Sequence, residues 1–157
     1  MIRRRARTLA VLELVNVFLL SWLFFGVLHV RPTLPNVLGM TLIALFLLIG
    51  AAYWALKYAQ LAARHRHPAG MHVFRALNWL GVAALAAGAV VIGLDPTLPA
   101  VLFWLFALLE YVNYFHVQLM HDTRADLRRL ARTGRPHRSH LRRDLQRPPR
   151  HERTHQH

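Results

Sequence analysis

The chain has 157 residues, a formal net charge of +13, 55% hydrophobic residues and no cysteine. The missing cysteine excludes disulfides, thiolate metal sites, iron–sulfur clusters and thiol redox chemistry. The length supports one small bundle and no large soluble domain beside it.

Four apolar stretches, about 9–30, 34–62, 73–94 and 98–120, fill the first 121 residues. Each is long enough as a helix to cross a hydrocarbon core of ~30 Å. The expected fold is therefore all-α, an integral membrane four-helix bundle over 1–121. Arg3, Arg4, Arg5 and Arg7 precede the first stretch, as in a signal peptide. The stretch is longer than a signal core, however, and ends at Leu28-His29-Val30-Arg31-Pro32 without small residues. A retained first helix is expected.

Helix 1 carries Glu13 and Asn16 among bulky residues. Helix 2 carries Tyr53 and Lys57, four apart and so on one face. Helix 3 carries Arg75 and Asn78, and is rich in small residues, with Gly81, Ala84 and Gly88 on one side. Small residues let backbones approach closely in lipid, so this helix is expected at the centre. Helix 4 carries Glu110, Asn113, Tyr114 and His116. Together Glu13, Asn16, Tyr53, Lys57, Arg75, Asn78, Glu110, Asn113 and His116 form a candidate intramembrane polar cluster. A charge in hydrocarbon costs at least a few kcal/mol, about 2.5 or more, so these groups should face inward and find partners. Two readings stand side by side. In one, Glu13, Lys57, Arg75 and Glu110 neutralise one another and fix helix register. In the other, Glu110 is a protonatable site coupled to movement of an ion or substrate.

Pro32-Thr33-Leu34-Pro35 recurs as Pro96-Thr97-Leu98-Pro99, each between two apolar stretches. Thr caps helices and Pro is tolerated in a first turn, so the motif is a good helix start. A tandem helical-hairpin repeat is the alternative, and would be a parallel one.

All Lys and Arg except Arg31 lie at the N-terminus, around the 2–3 connection or in the tail. The positive-inside rule then places both termini in the cytoplasm. Arg in preference to Lys, with abundant Ala and Leu, suggests a GC-rich bacterial gene and the bacterial inner membrane.

Residues 122–157 form a basic cytoplasmic tail with eleven Arg and four acids. Helix 4 is expected to continue over 122–131, and Leu141–Leu145 to form a turn. The rest is expected to be disordered, having too little apolar area to offset chain entropy. Arg3, Arg4, Arg5, Arg124, Arg128, Arg129 and Arg132 are expected to face anionic lipid headgroups. No aromatic residue interleaves the tail arginines, which argues against nucleic acid.

The chain holds eleven His. His72 and His116 on facing helices are a candidate haem pair, but interfacial and solvated His is the better account. No metal site, cofactor or enzyme signature is expected: G-x-S-x-G and phosphate-cradling glycine loops do not occur, and the H-E-x-x-H spelled by His151-Glu152-Arg153-Thr154-His155 falls in the tail expected to be disordered, not on the helix that such a motif requires. In size and span number the chain resembles small multidrug exporters in outline. Those carry their essential Glu in the first helix, whereas the deepest acid here is Glu110 in helix 4, so no residue role is carried over. The leading expectation is a non-enzymatic multi-pass membrane protein that associates with itself or with a larger membrane partner. The alternatives are a small transporter or transporter subunit using Glu110 and, more weakly, a haem-binding electron carrier.

Overall fold

The computed structural model describes residues 2–64, 70–117 and 139–146. These form α1 (Ile2–Ser21), a π-helical segment (Trp22–Val27), α2 (Leu34–Ala62), α3 (Met71–Leu94), α4 (Leu98–Phe115) and a short α5 (His140–Gln146). The first four α-helices, α1 counted with its π-helical continuation, are long and apolar enough to cross a membrane.

Helix α1 begins at Ile2 rather than at residue 9. Arginine is a good helix former, and nothing in Arg3–Thr8 breaks the helix. At its far end the hydrogen bonds lengthen their reach: Leu28 N donates to Leu23 O and Val30 N to Phe24 O. This wider turn carries Phe24 edge-on to Phe103 of α4, with ring centroids 4.7 Å apart.

Both Pro-Thr-Leu-Pro segments start a helix, with Thr33 and Thr97 as N-cap residues and Pro in the first turn. They are not equivalent. Thr97 Oγ1 accepts from Ala100 N and donates to Asn36 Oδ1 at 2.5 Å, and Asn36 Nδ2 donates to Arg31 O. Thr33 makes no such side-chain cap. Thr97→Val is therefore expected to cost about 1 kcal/mol or more in a detergent unfolding assay, because it removes the cap on Ala100 N and the donor to buried Asn36 Oδ1. Thr33→Val should stay within about 0.5 kcal/mol of the parent. Equal effects would contradict the distinction.

Helix α2, not α3, is central. It packs on α1, α3 and α4. Phe46 and Ile43 on it are almost wholly enclosed. The small residues of α3 do allow close approach: a Cβ on Gly81 would lie 3.0 Å from Phe46, and one on Gly88 2.7 Å from Leu42. But Ala83, Ala86, Ala87, Ala89 and Gly93 point away from the core. Two glycines on α2 do the comparable work against α4: Gly39 meets Phe103 and Gly50 meets Tyr114. The centre goes to the helix with neighbours on every side, not to the one with the most small residues.

Helix α4 stops at Phe115, short of the expected 120. His116 N and Val117 N both turn back to Val112 O. Carbonyls left over in the last turn are taken by Ser139: its Oγ donates to Tyr114 O at 2.5 Å and its N to His116 O at 3.3 Å. Ser139 also caps α5, accepting from Arg142 N. The expected helix over 122–131 lies outside the described residues.

Candidate functional site

The polar residues gather at the basic end of the helices, in three groups. The first is built around Tyr114. Gly50 leaves space for its ring against α2, and a side chain there would overlap it. Held so, Tyr114 donates from its hydroxyl to Glu13 on α1. Glu110, one turn back along α4, is hydrogen-bonded to Asn113 and lies within electrostatic reach of Glu13. Among the described residues neither carboxylate is in an ion pair. Asn16 lies one turn further along α1, half-buried.

The second group joins α2 to α5. Asp144 is buried, and one of its oxygens accepts from Lys57 Nζ at 2.7 Å and from Tyr53 Oη at 2.9 Å. Beside it Arg75 of α3 donates to Leu145 O at 3.1 Å. The expected mutual neutralisation of Glu13, Lys57, Arg75 and Glu110 is thus not what forms. Both cations turn to α5, which lies against α3 and α4 at the basic end. Leu141, 1% exposed, anchors it in the apolar core.

The third group is a chain on α3 and α4. Tyr111 Oη donates to Asn78 Oδ1 at 3.0 Å, and His116 Nε2 lies 3.1 Å from the same hydroxyl. With its oxygen already donating, Tyr111 accepts from His116, so the ring proton sits on Nε2. Among the described residues no three His, Cys, Asp or Glu side chains gather as metal ligands.

A cavity of about 70 Å³ separates the first two groups, lined by Arg5, Glu13, Tyr53, Asn113, Tyr114 and His140, among others. It holds a few waters at most. Thus Arg5 turns toward α5, while Arg3, Arg4 and Arg7 line open clefts on the outer side of α1. Arg124, Arg128, Arg129 and Arg132 lie outside the described residues.

His140 packs its ring edge-on against Trp54, centroids 5.6 Å apart, while part of the residue stays exposed. Burial of the ring, then the positive charge of Arg143, with smaller effects of Lys57 and Arg5 against the opposing pull of Asp144, pushes its pKa down to about 4. A histidine depressed when docked binds its proton more readily when undocked. Docking of α5 is therefore fully supported above about pH 6.5 and loses that support as pH falls toward 4. Limited trypsinolysis across this window is expected to show faster cutting at Arg142 and Arg143 as pH falls, once corrected for trypsin's own profile. In His140→Phe the dependence should flatten. Burial and Arg142 push His116 the same way.

Asp144 and Ser139 were missed by sequence reading, and Tyr114 was noted without its role. The spacing Leu141, Asp144, Leu145 was the available signal, since it sets an acid beside two apolar residues on one side of a helical turn. Comparison with protein families, with curated proteins and with solved structures finds no match. What the chain itself establishes is an all-α fold with four helices fit to cross a membrane.

Proposed function

We propose that this chain is a small multi-pass inner-membrane protein that acts by association, with itself or with a larger membrane partner, rather than as an enzyme. The charge distribution supports a cytoplasmic location for both termini and the α2–α3 connection. The observation that carries the reading is the outward face of α3. Ala83, Ala86, Ala87, Ala89 and Gly93, set among exposed Trp79, Val82, Val90 and Leu94, lie on a face that the other described helices leave uncovered. Small residues turned outward give another helix the close approach on which association in lipid depends. A mild-detergent pulldown of tagged protein should recover a stoichiometric complex, and Ala83→Leu/Ala87→Leu should dissolve it. Recovery of the parent as a monomer would refute the reading.

A second reading is favoured by Glu13 and Glu110, two carboxylates brought together without an ion pair among the described residues. Such a pair can hold and release a proton in a transporter or transporter subunit. The far side of it is filled by Ile43, Phe46, Phe103 and Ala107, so transport would need those helices to part. Glu110→Gln should then abolish a proton-linked flux while insertion persists. The haem reading is weakened by the bond His116 already makes to Tyr111. A Soret band in the purified protein would restore it.

A further inference from the structure

The four N-terminal arginines do different things. Arg5 lines the cavity beneath α5. Arg3, Arg4 and Arg7 line a separate cleft of about 410 Å³ together with Tyr58 of α2. Arg4 and Arg7 also line a second cleft of about 390 Å³, which runs on to Thr8, Val11 and Leu12. Among the described residues no acidic side chain borders either cleft. Arg3 sits over the Tyr58 ring, 5.8 Å from its centroid, so an aromatic face positions it without cancelling its charge. Arg7 and Val11 are one turn apart on one face, about 6 Å along the axis. Val11 is 50% exposed and Leu12 49%.

A concentrated positive charge that passes within one turn into exposed apolar surface matches one kind of molecule: a negative headgroup joined to a hydrocarbon chain. A soluble anion would use the first half of this surface and leave the second bare. We propose that Arg3, Arg4 and Arg7, with Tyr58, form a discrete binding site for the phosphate headgroup of one anionic glycerophospholipid, whose acyl chain lies along α1 over Val11 and Leu12. Guanidinium groups are suited to this because they grip phosphate oxygens in pairs. The inference rests on α1 lying in lipid and is independent of whether the protein associates.

The test is native mass spectrometry of the full-length protein in mild non-ionic detergent, titrated with dioleoyl phosphatidylglycerol or dioleoyl phosphatidylcholine. The parent should bind one phosphatidylglycerol in clear preference to phosphatidylcholine. Each arginine lost from the site should weaken binding about fivefold, so Arg4→Gln/Arg7→Gln should weaken it about twenty-five-fold. Arg4→Lys/Arg7→Lys should keep most of it. Arg5→Gln removes the same charge one residue away and should leave binding unchanged. Should the double variant fold poorly, Arg4→Gln alone against Arg5→Gln makes the same comparison. Equal weakening by Arg4→Gln and Arg5→Gln would reduce the site to diffuse attraction and overturn the proposal. So would equal binding of the two lipids, or displacement of bound lipid by excess inorganic phosphate.

Discussion

Asp144→Ala is expected to free α5 from the end of the bundle. The carboxylate is almost fully enclosed, with a side-chain exposure of 5%, and it neutralises Lys57, whose side chain is 18% exposed. Removing it leaves an ammonium in a part-buried place and takes the acceptor from the Tyr53 hydroxyl. Breaking a buried pair from one side costs roughly 3–5 kcal/mol, and Lys57's partial access to water puts this case at the lower end. Helix α5 has seven residues and cannot persist by itself, so the loss falls on docking. Trypsin should cut at Arg142 and Arg143 many times faster than in the parent, and the unfolding midpoint in detergent should fall. Lys57→Met/Asp144→Leu should recover much of the difference, because two apolar side chains leave no orphaned charge. Parental proteolysis in Asp144→Ala would mean that the ion pair does not hold the tail.

Gly50→Ala is expected to be the most damaging single-methyl change in the described core. The added carbon would overlap the ring of Tyr114, whose position is fixed by α2 on one side and by Glu13 on the other. Tight cores answer such insertions with about 1–3 kcal/mol of strain. Moving the ring also breaks its bond to Glu13, which adds about 1 kcal/mol or more. Gly93→Ala is the natural control, since nothing lies within 4 Å of its added carbon. That change should be neutral or stabilising by up to ~1 kcal/mol, through helix propensity alone. Thermal unfolding of both variants in one detergent checks the contrast. Similar midpoints would show that α2 and α4 do not meet at Gly50.

The helices were legible because each spans many residues of one character, bounded by Pro-Thr-Leu-Pro or by charge. Leu34 starts α2 and Leu98 starts α4 for reasons visible in the tetrapeptide itself. Which helix sits at the centre was not legible. Glycines at 39 and 50 are sparse in a bulky helix, yet they face Phe103 and Tyr114, whereas most of the small residues of α3 face outward. Composition records how many small residues a helix has, not which neighbours surround it. The polar cluster was legible as a set of residues but not as a set of bonds. Lys57 and Asp144 are 87 positions apart, and the partner lies in a segment whose charge marks it as tail. Long-range pairing of this kind leaves no periodic trace.

Four helices that cross a bilayer with the basic end on the cytoplasmic side underlie every function proposed for this chain. The absence of native cysteine makes this directly measurable by single-cysteine labelling in intact cells with a membrane-impermeant maleimide. Cysteines placed at Thr33 and Thr97 should be labelled from outside. Those placed at Ile2, Arg66 and Arg150 should be labelled only after the membrane is opened. Outside labelling at Ile2 or Arg150 in unopened cells would contradict the account, as would recovery of the protein in the soluble fraction.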